Sequence, residues 1–194
     1  MQIKTPAKAT RPTATTPPAI SSPVTHGLPP ALPADRTERN AALLMQCHPV
    51  FSRKVAAILQ DLEGHGLKPR IQEAWRSLAR QRALRRKGTT RLAWGLHCTT
   101  TEDGEPESLA VDIVDEASPV RMGTRFALLL ASAAKAHGCL SGIAWGLDRE
   151  ERDTVHAAIA AKDWSTALPI GWDPGHVQIE GIGILRNPVV AEKA

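Results

Sequence analysis

Ser108-Leu-Ala-Val-Asp-Ile-Val114 is the stretch on which the fold turns. Leu109, Val111 and Ile113 take one face of an extended segment, and Ala110, Asp112 and Val114 take the other. A period of two is the signature of a strand with one buried face. Asp112 is the anomaly in it. A carboxylate amid apolar residues must offset its desolvation with a metal, a cation or several donors, so Asp112 is either a structural hydrogen-bond hub or a ligand.

A second strand with the same alternation lies near the end of the chain, in Gly171-Trp-Asp-Pro-Gly-His-Val-Gln-Ile-Glu180, where Val177 and Ile179 alternate with Gln178 and Glu180. His176 opens that strand and Asp173 stands in the turn before it. Between the two strands, Ser118-Pro119 reads as a helix start, Phe126 to His137 as a deeply packed apolar helix, and Leu140 to Gly146 as another buried strand. Asp148 to Asp163 reads as an exposed helix with Val155 and Ile159 turned inward. Upstream, Val55, Ile58, Leu59 and Leu62 have helical spacing and stop at Gly64-His-Gly66. A short strand over Lys68 to Trp75 and a helix from Ser77 to Lys87 follow, with Arg76 at their corner. An arginine there either reaches into a cleft or is a surface residue. Thr89 to Glu107 reads as a long loop, a feature usually tied to function or disorder.

These elements predict an α+β fold, with a small, mainly antiparallel sheet packed against helices. The first 34 of 194 residues are of another kind: they hold eight of the fifteen prolines, and no acid precedes Asp35. Such a segment buries too little surface to offset the entropy of ordering it. The expected organisation is therefore a disordered arm over 1–35 and a folded domain over 36–194. The arm lacks the uninterrupted apolar core of a signal peptide. The longest apolar run, Phe126 to Ala134, is too short for a membrane span. The expectation is a chain made in the cytoplasm without a signal peptide. Three scattered cysteines fit neither a disulfide framework nor a Cys-x-x-Cys zinc site.

A net charge of +4 and a pI near 9.2 favour anionic partners mildly. Part of the excess is local, in Arg80, Arg82, Arg85, Arg86, Lys87 and Arg91. That cluster is either a solvated helix face or an anion-binding patch. Without interleaved aromatic residues, it predicts no specific nucleic-acid binding. The acidic loop of Glu102, Asp103, Glu105 and Glu107 is either solvated or meets a cation, but it lacks the spacing of an EF-hand. There is no His-Glu-x-x-His, phosphate loop or Gly-x-Ser-x-Gly elbow.

His97, Asp112 and His176 form a candidate metal set. Two imidazoles and one carboxylate leave the fourth position of tetrahedral zinc open, as catalysis requires. Asp173 is then a candidate general base, and Arg76 a candidate for charge developing on a carbonyl oxygen.

The order of these residues resembles that of the zinc peptidases that cut bacterial cell-wall peptides. This family includes D-alanyl-D-alanine carboxypeptidases and dipeptidases, and the L-alanyl-D-glutamate endopeptidases used as phage endolysins. The resemblance is carried by Trp75-Arg76-Ser77 with Gln81, Gly95-Leu-His97, Leu109-Ala-Val-Asp112-Ile113, Ala144-Trp145-Gly146 and Asp173-Pro-Gly-His176, over about residues 45 to 182. It implies zinc on His97, Asp112 and His176, Asp173 as base, Arg76 at the carbonyl, and Gln81, Trp145 and Trp172 as substrate contacts. It also implies peptidoglycan stem peptides as substrate; the expectation beside it is a monomer acting at the cell wall or in the periplasm, with holin release and export by a secretion machine both fitting a chain without a signal peptide. L-alanyl-D-glutamate endopeptidase is the first expectation, D-alanyl-D-alanine carboxypeptidase the second, and a non-catalytic metal-binding or wall-binding module the reading from another class. Two departures stand out. His97 and Asp112 are fifteen residues apart where family members commonly have seven, so Cys98 to Glu107 resembles an insertion. Gln178 stands where many members have an acid, and no role is assigned to it.

Overall fold

The computed structural model of the protein describes residues 32–181. The arm, apart from its last four residues, and the C-terminal tail lie outside them. Nine regular elements follow one another: α1 Arg36–Leu44, α2 Pro49–Gly64, β1 Pro69–Glu73, α3 Leu78–Arg86, β2 Ala110–Asp115, α4 Thr124–Ala136, β3 Cys139–Ser141, α5 Arg149–Ala161 and β4 His176–Ile179. The strands form one antiparallel sheet in the order β1-β2-β4-β3, which is the α+β architecture expected.

The sheet has one apolar face. Ile71, Val111, Ile113, Val177 and Ile179 point into a core that α2 supplies with Phe51, Val55, Ile58 and Leu62, and α4 with Phe126, Leu129, Leu130 and Ala134. Burying each large side chain there contributes about 1.5–3 kcal/mol. The opposite side of α4, through Ala127, Leu128 and Ala131, packs with Val155 and Ala158 of α5 around Ile143. Being buried on two sides accounts for the apolar content all round that helix. Among the described residues, no helix is long and apolar enough to cross a membrane.

Two expectations change in detail, and a break between the first two helices adds to them. The chain breaks between α1 and α2 because Pro49 offers no N–H and holds His48 extended at φ −51°, ψ 136°. The freed groups bond Ser108: its N–H donates to the Gln46 carbonyl, and the His48 N–H donates to the Ser108 carbonyl. Ser118-Pro119 does not start α4; the Ser118 hydroxyl closes a turn onto the Arg121 carbonyl, and the helix begins at Thr124. The strand expected over Leu140 to Gly146 ends at Ser141, gives way to a 3-10 turn over Gly142–Ala144, and leaves Leu140 43% exposed. That turn frees Trp145 from the sheet.

Cys47, Cys98 and Cys139 are buried free thiols. Burial pushes Cys47 up to about 12 and Cys139 up to about 11. The thiolate is the reactive form, so native protein at about pH 8 should take up no iodoacetamide at these two sulfurs, whereas denatured protein takes it up at all three. Mass spectrometry of labelled peptides checks this; rapid native labelling of Cys47 would contradict the packing.

Candidate metal and catalytic site

Side chains from separate segments meet on the open face of the sheet. Asp112 of β2 lies directly opposite His176, the first residue of β4. On the other side of β2, Glu73 is opposite Asp112, because the register shifts between Ile71 and Glu73. Strict alternation would send Glu73 to the same face as Ile71, into the core. The bulge turns it onto the polar face, as bulges beside functional sites do.

His97 arrives from the 3-10 turn Leu96–Cys98. Its backbone is fixed on both sides, since its carbonyl accepts from the Arg76 N–H at 2.8 Å and the Leu96 carbonyl accepts from the Leu109 N–H at 3.0 Å. The segment Thr99 to Glu107 lies outside this anchor. It projects as a small hairpin, closed by a Thr100–Pro106 bridge and by the Glu107 N–H on the Thr99 carbonyl.

Within the cluster, His97 Nε2 lies 3.4 Å from Asp112 Oδ1 and 3.4 Å from His176 Nδ1, and His176 Nδ1 lies 3.2 Å from Asp112 Oδ1. The outer ring nitrogens decide what these atoms are. His97 Nδ1 is 2.6 Å from the Ala74 carbonyl, which can only accept, so the ring donates there and keeps a lone pair on Nε2. His176 Nε2 is 3.1 Å from Gln178 Oε1 and donates likewise, keeping its lone pair on Nδ1. Three acceptor atoms therefore converge, and both imidazole protons are spent elsewhere. This group could hold a metal ion. Burial pushes His97 down, but the hydrogen bond and charge of Asp112 outweigh burial and raise it.

Arg76 reaches the cluster from the β1–α3 corner. Its Nε and Nη2 donate to Glu73 Oε2, Nη2 also donates to Asp112 Oδ2 at 3.3 Å, and Nη1 donates to Gln81 Oε1 at 3.0 Å. Four of the five guanidinium hydrogens are used, leaving one on Nη1. Holding Oδ2 in this way leaves Asp112 Oδ1 as the oxygen facing both imidazoles. Gln81 is 1% exposed, and its amide nitrogen donates to the Leu92 carbonyl. It stands behind Arg76, away from solvent.

Asp173 sits at the rim, half-buried, with Oδ2 3.9 Å from His176 Nδ1. The two aspartates have opposite environments. Burial and the neighbouring Asp112 charge raise the Asp173 carboxyl. Burial also raises Asp112, but His176 and His97, which in their protonated forms hydrogen-bond to it and carry opposite charge, outweigh burial and hold that group well below the usual carboxylate range. Two carboxyls whose environments push their pKa values apart suit different roles.

An aromatic wall completes the site. The Trp145 ring lies 4.8 Å from that of His176 and 5.5 Å from that of Trp172, which is 70% exposed. Gly171 makes this possible, since a Cβ there would stand 2.5 Å from the Trp145 carbonyl oxygen. Gly146, at φ +82°, lies against the Trp172 indole; a Cβ would meet its Cδ1 at 2.7 Å.

The site thus brings together His97, Asp112, His176, Asp173, Arg76, Trp145 and Trp172, and places Gln81 beneath them. The sequence reading missed Glu73, the Ala74 carbonyl and Gln178. Gln178 shares the His176 face of β4 by simple alternation, which was the available signal; Glu73 needs the bulge.

No family model matches the chain, and no curated protein matches it. Among solved structures, the chain is similar to the Serratia marcescens L-Ala D-Glu endopeptidase ChiX, at 22% identity and a TM-score of 0.47, over 73% of this chain and 86% of that one.

Proposed function

We propose that this protein is a zinc-dependent peptidase that cuts peptidoglycan stem peptides, with the L-alanyl-D-glutamate bond as first choice. The carrying observation is the convergence of three acceptor atoms whose ring protons are tied to Ala74 and Gln178. A tetrahedron with bonds of about 2.0–2.1 Å has edges of about 3.3 Å, and the three separations here are 3.2, 3.4 and 3.4 Å. Calcium, which takes six to eight oxygens, suits this nitrogen-rich set poorly. When bound, zinc lowers the pKa of a coordinated water toward about 7 and polarises a carbonyl.

The chain's own groups supply the remainder. Asp173 accepts the proton of the attacking water and returns it to the departing amine, a task suited to a carboxyl raised above its usual range. Arg76 has one Nη1 hydrogen outside its bonds to Glu73, Asp112 and Gln81, and that hydrogen is the one available to a carbonyl oxygen as charge develops. Trp145 and Trp172 form a wall for the peptide. Such a protein acts at the cell wall or in the periplasm, after holin release or export by a secretion machine.

Digestion of purified wall with the zinc-loaded chain, followed by mass spectrometry, should reveal new ends at the L-alanyl-D-glutamate bond. Free D-alanine as the sole product would replace the endopeptidase reading with a carboxypeptidase. No product from either bond, with zinc bound, would leave a non-catalytic module.

Glu73→Gln tests the outer partners. Without its carboxylate, Arg76 turns its full charge on Asp112 and competes with the cation for it, so zinc affinity should fall roughly tenfold or more. A competition titration with a chromogenic chelator measures this; unchanged affinity would reduce Glu73 to a surface partner.

A further inference from the structure

From Ala74 to Thr101 the chain has seven of its 24 lysines and arginines and none of its 20 acids. The remaining residues, with 17 cations against 20 acids, carry a net charge of −3. The molecule's positive excess is therefore concentrated in α3 and its exit. Arg76 is spent inside the site, and Arg80 approaches Glu73 at 3.4 Å. Arg82, Arg85, Arg86, Lys87 and Arg91 are exposed and make no ion pair among the described residues. Arg82 stands three and four residues before Arg85 and Arg86, so the three share one face and repel one another. The helix dipole offsets this for the last-turn pair Arg85 and Arg86 but not for Arg82 in the middle.

We propose that this arginine face is a second contact for the wall, binding the carboxylates of stem peptides adjacent to the one being cut. The occupant is chosen on the strength of the peptidase reading above. Guanidinium groups pair with carboxylates through two parallel N–H bonds, and stem peptides repeat those carboxylates along a polymer. The helix that carries the face is joined to the site, because its Gln81 accepts from Arg76 and its Arg80 approaches Glu73. Single-stranded nucleic acid finds no stacking platform there: Trp75 and Trp94 are half-buried, with both indole N–H groups buried. A membrane surface finds no apolar stripe along α3, since Ala83 and Leu84 between Arg82 and Arg85 are half-buried and Leu92, beyond the helix, is the single large apolar side chain exposed beside the arginines.

The test uses the full chain carrying Asp173→Ala, so that walls are not digested during binding. Arg82→Gln/Arg85→Gln/Arg86→Gln should weaken retention on isolated sacculi about tenfold at low salt, with the difference vanishing as salt rises. Lysine at the same three positions should retain most of the binding, which separates charge from folding. Sacculi with amidated stem carboxylates should lose the same increment. In the zinc-loaded parent background, the glutamine variant should cut a soluble stem peptide normally and intact sacculi slowly. Equal binding of parent and glutamine variant, or undiminished binding to amidated sacculi, would overturn the proposal, as would tighter binding to a DNA duplex than to sacculi at equal salt. Failure of the peptidase reading would show separately, as no cleavage of the soluble peptide by the parent chain.

Discussion

Asp112→Asn is expected to abolish cleavage and to lower zinc affinity at least about 100-fold, beyond the roughly 10–100-fold cost of losing an outer partner. Asp112 is the hub of the cluster. Its Oδ1 faces His176 Nδ1 at 3.2 Å and His97 Nε2 at 3.4 Å, and its Oδ2 accepts from Arg76 at 3.3 Å. Asparagine keeps the shape and removes the anion, so Arg76 faces the metal position without the carboxylate that separates them. The fold should survive, because Asp112 lies on the open face of β2 while Val111 and Ile113 fill the core. Metal content by elemental analysis, read beside circular dichroism, checks both halves. Zinc retained at the parent level would remove Asp112 from the site.

The same cluster sets a pH dependence. In the metal-free chain Asp112 raises His97 above its usual value, so the proton leaves only at a pH above the ordinary imidazole value of about 6.5. Metal must displace that proton. Zinc affinity should therefore be full above the raised value and fall by about tenfold per pH unit below it, for each proton displaced.

Asp173→Asn is expected to leave zinc in place and lower kcat by about 10²–10⁴-fold, the usual contribution of a general acid–base group. The residue is near the cluster without being one of its three converging atoms: its nearest approach is 3.9 Å to His176 Nδ1. Asparagine fills the same volume and cannot take a proton. KM should change little, since the loss falls on the transition state. At saturating zinc, the part of the acid limb that arises as the raised Asp173 carboxyl gains its proton should vanish in the variant. An asparagine variant with parental kcat would transfer the base to another group, and one that lost its zinc would make Asp173 a ligand.

Much of this was legible because it is local. Alternation in Ser108 to Val114 and in His176 to Glu180 marks strands with one buried face, and the polar intruders Asp112 and His176 lie on the other. The helices α2, α4 and α5 follow from apolar spacing, with Gly64-His-Gly66 marking the end of the first and Asp148 the start of the last. Ser118-Pro119 misled because a proline suits a turn as well as a helix start. Leu140 to Gly146 misled because a short apolar run does not reveal its own length as a strand.

The sequence by itself determined which residues carry the chemistry and in what order, since those properties belong to single side chains and their strands. Tertiary structure decided the partners. A one-residue shift after Ile71 brings Glu73 beside Asp112, the Ala74 carbonyl orients the His97 ring from 23 positions away, and Gln178 fixes the tautomer of its neighbour His176. Sheet register and the direction of a backbone carbonyl arise from pairing between distant segments, so no local pattern of residue types records them.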